Sequence, residues 1–180
     1  TNNTGSNFNI NGGIVNLGPL DNTANNRIFS HAGGTLNVSS GTLNIAGVFN
    51  VSNGTFTQSG GNINVDFNGT ASATTSAINF TGGSYNLSGG TITIVDPSAT
   101  TAVNSFSYAG SSIVICTGTH TVQFGDGASM QAGTTDGFIL SNTGTRFNFR
   151  NLTINGTSLA ANRFVKQAAN SNAVAGNFTI

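Results

Sequence analysis

The chain has 180 residues, enough for one core, and pairs 37% hydrophobic residues with only 6% charged ones at a formal net charge of zero. Globular domains usually carry about a quarter charged residues, so Asn, Thr, Ser and Gly cover this surface, and the five acidic residues are all Asp. Without a basic stripe, nucleic acid and anionic membrane are not expected as partners, and no apolar run is long enough for a membrane-spanning helix.

Residues 1–18 open with alternating apolar positions, Phe8 and Ile10, a Gly12-Gly13 corner, then Val15 and Leu17. A strand sends successive side chains to opposite faces, so this alternation predicts half-buried strands. The Asn-rich stretch from Pro19 to Ser30, with Asp21 and Arg27, reads as a loop leaving one corner.

From Gly34 to Pro97 the pattern is most regular: GTLNVSS, GTLNIAG, VFNVSN, GTFTQSG, GNINVDF, then INFTG, GSYNLSG and GTITIVDP after a spacer. Leu36 with Val38, Leu43 with Ile45, Phe49 with Val51, and Ile63 with Val65 form the expected core, joined by Phe56. Gln58 shares the parity of Phe56 and is where the pattern should fail, at a corner or hydrogen-bonded inside. Gly at the unit boundaries supplies the bends. Asn37, Asn44, Asn50, Asn64 and Asn86 repeat at an outward position, as a stacked amide ladder would require.

Turn signals recur every six or seven residues, closer than the ~8–12 of sandwiches and meander barrels. Strands so short cannot make useful hairpins, but they can bend and continue around a coil. Three units give a coil of roughly twenty residues, within the range of solenoid repeats. The expected fold is therefore all-β, a parallel (right-handed) β-helix with short strands and Gly/Asn corners. Residues 1–180 form its single domain, a segment or repeat unit of a longer fibre.

Phe67–Ser76 reads as a second bulge, and Pro97 to Asn104 as a loop, because proline removes a ladder donor. Beyond Phe106 the rhythm loosens. SSIVIC is a continuous apolar run, read as a strand covered on both faces. In THTVQFGDG, Val122 and Phe124 point inward. After GFIL, TRFNFRNLTING and a loop around 160–162, the last unit ends on Phe178 and Ile180. Neither end reads as a polar cap, so Phe8, Ile10, Phe178 and Ile180 are the candidate axial stacking interface, with the chain itself as head-to-tail partner.

No catalytic, cofactor or metal residues are expected. Asp21, Asp66, Asp96, Asp126 and Asp136 stand apart beside turn residues, and lyase or hydrolase chemistry needs clustered groups. His31 and His120 are isolated and read as hydrogen-bonded core or corner histidines, and Cys116 as a small buried hydrophobe. The Asn-x-Ser/Thr triplets at 37, 50, 53, 79, 86, 151, 155 and 177 follow from strand composition. An alternative function is a flat glycan- or ice-binding face, for which Thr55 with Thr57, Thr91 with Thr93, and Thr119 with Thr121 would have to stack.

GTLNVSSGTLNIAGVFNVSNGTFTQSGG, GGTITIVDP, THTVQFGDG and NLTINGTS with VAGNFTI resemble the repetitive cell-surface adhesins and filament proteins of Bacteroidetes-type bacteria, exported by type-nine secretion. The resemblance implies an extracellular structural or adhesive role at the cell surface. It also implies surface glycans or other surface proteins as partners, no cofactor and no catalysis.

Overall fold

The computed structural model describes residues 1–18, 28–66, 76–95, 104–127, 138–155 and 165–180, with backbone alone for 165–169. Among them the chain is all-β. The strands are β1 (Asn7–Leu17), β2 (Ile28–Ile45), β3 (Val48–Val65), β4 (Ile78–Phe80), β5 (Ser84–Ile94), β6 (Phe106–Tyr108) and β7 (Ile113–Ile115). They continue as β8 (Thr121–Phe124), β9 (Phe138–Asn142), β10 (Arg146–Phe149), β11 (Asn151–Ile154), β12 (Val165–Ala169), β13 (Ala173–Val174) and β14 (Phe178–Thr179). All their pairings are parallel, in one eleven-stranded sheet and one three-stranded sheet of β13, β10 and β7. The large sheet is curled.

The pairings resolve into three ladders. The first carries Phe29, Phe49, Ile78, Phe106 and Leu140 in register. The second carries Phe8, Leu36, Phe56 and Tyr85, with Ile10, Val38, Gln58 and Leu87 beside them. The third runs Val15, Leu43, Ile63, Ile92, Val122, Leu152 and Phe178. Alternate positions of each ladder bury their side chains in one contiguous core. Every residue of the expected core is at most 1% exposed. Aromatic rings continue through it, from Phe8 against Phe29 at 5.7 Å to Phe106 against Phe147 at 5.0 Å.

Three local expectations change. First, the short units fuse, so β2 and β3 are each 18 residues long and pass their glycine corners through register shifts. Second, residues 28–30 are not loop; Ile28, Phe29 and Ser30 pair with Val48, Phe49 and Asn50. Third, the roughly twenty-residue spacing holds only where Thr35 pairs with Thr55. Elsewhere partners lie further apart, as with Asn7 and Thr35, Thr55 and Ser84, or Thr91 and Thr121. The added length enters between the end of the third ladder and the start of the next first-ladder strand. Only the Ala46-Gly47 passage is free of it. The loops expected at 19–27, 67–75, 97–103 and 160–162 fall in these stretches, outside the described residues, as do Asp21, Arg27, Asp96 and Asp136.

The corner between the second and third ladders is a pile of glycines. Gly41, Gly61 and Gly90 have φ of 76°, 68° and 78°, the left-handed region that other residues enter only with strain. A Cβ on Gly41 would stand 2.6 Å from the backbone of both Gly12 and Gly13, so the close approach of neighbouring tiers needs glycine as well.

Candidate functional site

The four expected interface residues lie at the two edges of the curled sheet but not in one ladder. Phe8 and Ile10 belong to the second ladder through Leu36 and Val38, whereas Phe178 pairs with Leu152 in the third. The residue heading the column of Phe178 is Val15, and Leu17 heads the neighbouring column that ends at Ile154. The three-stranded sheet of β7, β10 and β13 continues the second ladder beyond β5, where Thr117 N–H donates to the Leu87 carbonyl oxygen, and exposed Val174, in register with Phe149, lies at its far edge. Sequence parity could not separate these columns, because parity repeats identically in every ladder.

Exposure differs between the edges. Phe178 is 55% and Ile180 88% exposed, while Ile10 is 2% exposed and Phe8 is half-buried. Among the described residues both edges end in strands with one unpaired side, which is a template for a further strand.

The outward amides do not share one column, as their spacing suggested, but three. Asn50 donates to Ser30 Oγ at 3.1 Å and Asn79 to Asn50 Oδ1 at 3.3 Å on the first ladder. On the third, Asn64 donates to Asn44 Oδ1 and Asn44 to Asn16 Oδ1, both at 2.8 Å. Asn37 and Asn86 stand in the second, with Asn9 and Thr57 in register. The threonines separate similarly: Thr55 and Thr57 lie on the second ladder, Thr91 and Thr93 on the third. Only Thr121 follows Thr91 in register, and Thr93 is succeeded by Gln123. A broad Thr-x-Thr face is therefore not assembled.

The two histidines are inside. His31 Nε2 lies 3.1 Å from the carbonyl oxygen of Thr55 and its Nδ1 3.1 Å from Asn2 Nδ2. His120 Nε2 lies 3.2 Å from Gln58 Oε1. Gln58, 0% exposed, donates its amide to the carbonyl oxygens of Gly61 and Thr91. The break foreseen at Gln58 is thus an internal hydrogen-bonded residue. Its partner, 62 positions away, had no signal in the sequence beyond the isolated inward parity of His120. Burial lowers the His120 pKa to about 4; burial also lowers that of His31, partly opposed by the Thr55 carbonyl.

Cys116 is buried, and desolvation pushes its thiol up to about 12, against a weaker opposing contact with the Arg150 backbone. A thiol held protonated is a poor nucleophile. Asp66 is buried at φ 56°, and exposed Asp126 sits between Gly125 and Gly127 in a turn where both glycines have positive φ. No cluster of three or more His, Cys, Asp or Glu that could hold a metal occurs among the described residues. The SSIVIC strand is not covered on both faces: Val114 and Cys116 are buried, but Ile113 and Ile115 are 61% and 60% exposed on the outward side. No protein-family model, curated protein or solved structure matches this chain.

Proposed function

We propose that this chain is a module of a right-handed parallel β-helix that serves as a structural or adhesive stalk at the bacterial cell surface, and that copies of it stack head to tail into filaments. The observation that supports this reading is the continuity of column chemistry from edge to edge. The third-ladder column is apolar from Val15 to Phe178, and its outward neighbour is polar from Asn16 to Thr179. A copy docked in register sets Phe178 over Val15, Val174 over Ile10 and Thr179 over Asn16. It pairs both unpaired edges with backbone hydrogen bonds. A head-to-tail contact of this kind is heterologous and does not close, so it propagates.

The surface fits a passive role. It is polar and almost uncharged, its amides bond to one another, and burial favours the neutral forms of His31, His120 and Cys116. Catalysis is no part of this reading.

Light scattering and electron microscopy of the purified chain test the stacking. Fibres are expected for wild type and should disappear when Val15 or Phe178 becomes Asp, with circular dichroism unchanged. A wild-type chain that stays monomeric at high concentration with intact β-structure overturns the filament.

A further inference from the structure

His31 and His120 are the chain's two histidines, the side chains whose ordinary pKa lies nearest neutrality, and both are 0% exposed. Their protonation states follow from their partners. Gln58 Nε2 faces two carbonyl oxygens, of Gly61 at 3.4 Å and Thr91 at 3.3 Å, and these fix which end of the amide donates. Gln58 Oε1 therefore accepts, so the His120 proton sits on Nε2. Its Nδ1 is a bare lone pair with no hydrogen-bond partner.

His31 repeats the logic at the other end of the sheet. Its Nε2 faces the Thr55 carbonyl and must donate, leaving Nδ1 to accept from Asn2 Nδ2. The same amide nitrogen gives its second hydrogen to Thr35 O at 2.9 Å. Both rings are neutral Nε2–H tautomers tying strands from different tiers: His120 beside β8 to β3, and His31 on β2 to β3 and the residues before β1.

A second proton has nowhere to go in either place. On His120 it creates a buried N–H without an acceptor; on His31 it sets a donor against the Asn2 donor, which cannot turn without giving up Thr35. Leaving a buried polar group unmatched is costly, and a buried charge more so. Among the described residues no carboxylate offsets the burial of either ring, and strands β1, β2 and β3 contain no Asp, Lys or Arg. The elements packed around His120 carry Tyr85 on β5, Cys116 after β7 and Arg150 before β11. The first two are neutral in acid, and the Arg150 guanidinium donates through Nε and Nη1 to the Gly118 and Ala175 carbonyls. The carboxylates on the adjoining strands, Asp66 after β3 and Asp126 after β8, follow the strand ends, eight positions beyond Gln58 and six beyond His120.

We infer that His31 and His120 are an acid-sensitive latch, closed while both rings are neutral and released in acid, when the tiers they tie come apart. The unfolded chain takes up protons as pH falls past 6.5, whereas the folded His120 does so only near 4. Stability contributed by the neutral ring is therefore complete above 6.5 and lost as pH falls towards 4. For His120 alone that separation is a change of about 300-fold in the folding equilibrium constant. His31 adds a loss of the same sign.

Denaturant unfolding across this range measures it, on wild type, His120→Gln and His31→Gln/His120→Gln, with glutamine retaining a donor and losing the titration. Wild type should lose stability in acid, His120→Gln about 300-fold less of it, and the double variant only the part due to its Asp residues. NMR titration of the two imidazoles in the folded wild-type chain needs no variant to fold, and the His120 ring should titrate near 4 and the His31 ring below 6.5. Rings titrating at the ordinary value, or a double variant as acid-sensitive as wild type, would overturn the latch.

Discussion

The half of the sheet built from β1, β2, β3 and β5 differs from the half built from β6 to β14. In the first, strands run 11 to 18 residues through their corners, and the second and third ladders meet at Gly13, Gly41, Gly61 and Gly90. In the second, strands are two to five residues long, and the same corner becomes Thr117–His120 in one tier and Arg150 in the next. Where the glycines stop, side chains take over: Arg150 bonds the carbonyl oxygens of Gly118 and Ala175, and Asn151 Nδ2 those of Thr119 and His120. Core packing persists in both halves, since Phe106, Val122, Phe124, Phe147 and Phe149 are 0% exposed. The parallel stack tolerates corners of different length and chemistry, provided the inward columns stay apolar or, as at His31, Gln58 and His120, hydrogen-bonded inside.

The largest expected effect tests that condition. Leu43→Asp places a charge at a 0% exposed position in the regular half. The cost, about 4 kcal/mol or more, is a large part of a typical domain's stability, so the chain should fail to fold by circular dichroism. The same charge at Phe178, in the same column but at an edge, should cost about 1 kcal/mol or less in the monomer. Equal heat stability of Leu43→Asp and wild type would mean that the column is not buried.

A smaller effect separates glycine's two roles. Gly41 and Gly13 both have positive φ, at 76° and 65°, but a Cβ at Gly41 meets backbone at 2.6 Å while one at Gly13 meets nothing within 4 Å. Gly13→Ala should cost about 1 kcal/mol, the left-handed strain alone. Gly41→Ala should cost about 3 kcal/mol, because neighbouring backbone must also move. Equal thermal shifts would show that conformation, not tier spacing, sets the requirement.

These differences mark what could be read from the sequence. Parity was legible, because apolar alternation is a local consequence of burying one face; hence the core from Leu36 to Val65 and the irregularity at Gln58 were foreseen. Tier length was not, because the inserted residues carry no inward pattern and their number alone decides which positions align. For the same reason Asn37, Asn44 and Asn50 looked like one column, and Phe8 looked like the counterpart of Phe178. His120 could not be matched to Gln58, since only the register brings two polar residues 62 positions apart to one depth. The outward isoleucines of SSIVIC were misread because a continuous apolar run does not reveal which parity is covered.

The smallest effects lie on the outward faces and sharpen the same contrast. Asn44 stands mid-column in the regular half, accepting from Asn64 and donating to Asn16, each at 2.8 Å. Asn44→Ala removes both bonds and leaves two partly solvated amides to find water, so a loss of about 1 kcal/mol is expected. Ile113 occupies the outward position of the second ladder in the looser half, 61% exposed beside Arg146 in register. Ile113→Thr keeps the β-branch that suits a strand and removes little buried area, so its effect should stay within about 0.5 kcal/mol. Denaturant midpoints of the two variants decide the matter. A larger loss at Ile113 would mean that the outward isoleucines are covered in solution, as an adhesive face between copies would cover them. A negligible loss at Asn44 would mean that the amide columns follow the sheet's alignment rather than stabilise it.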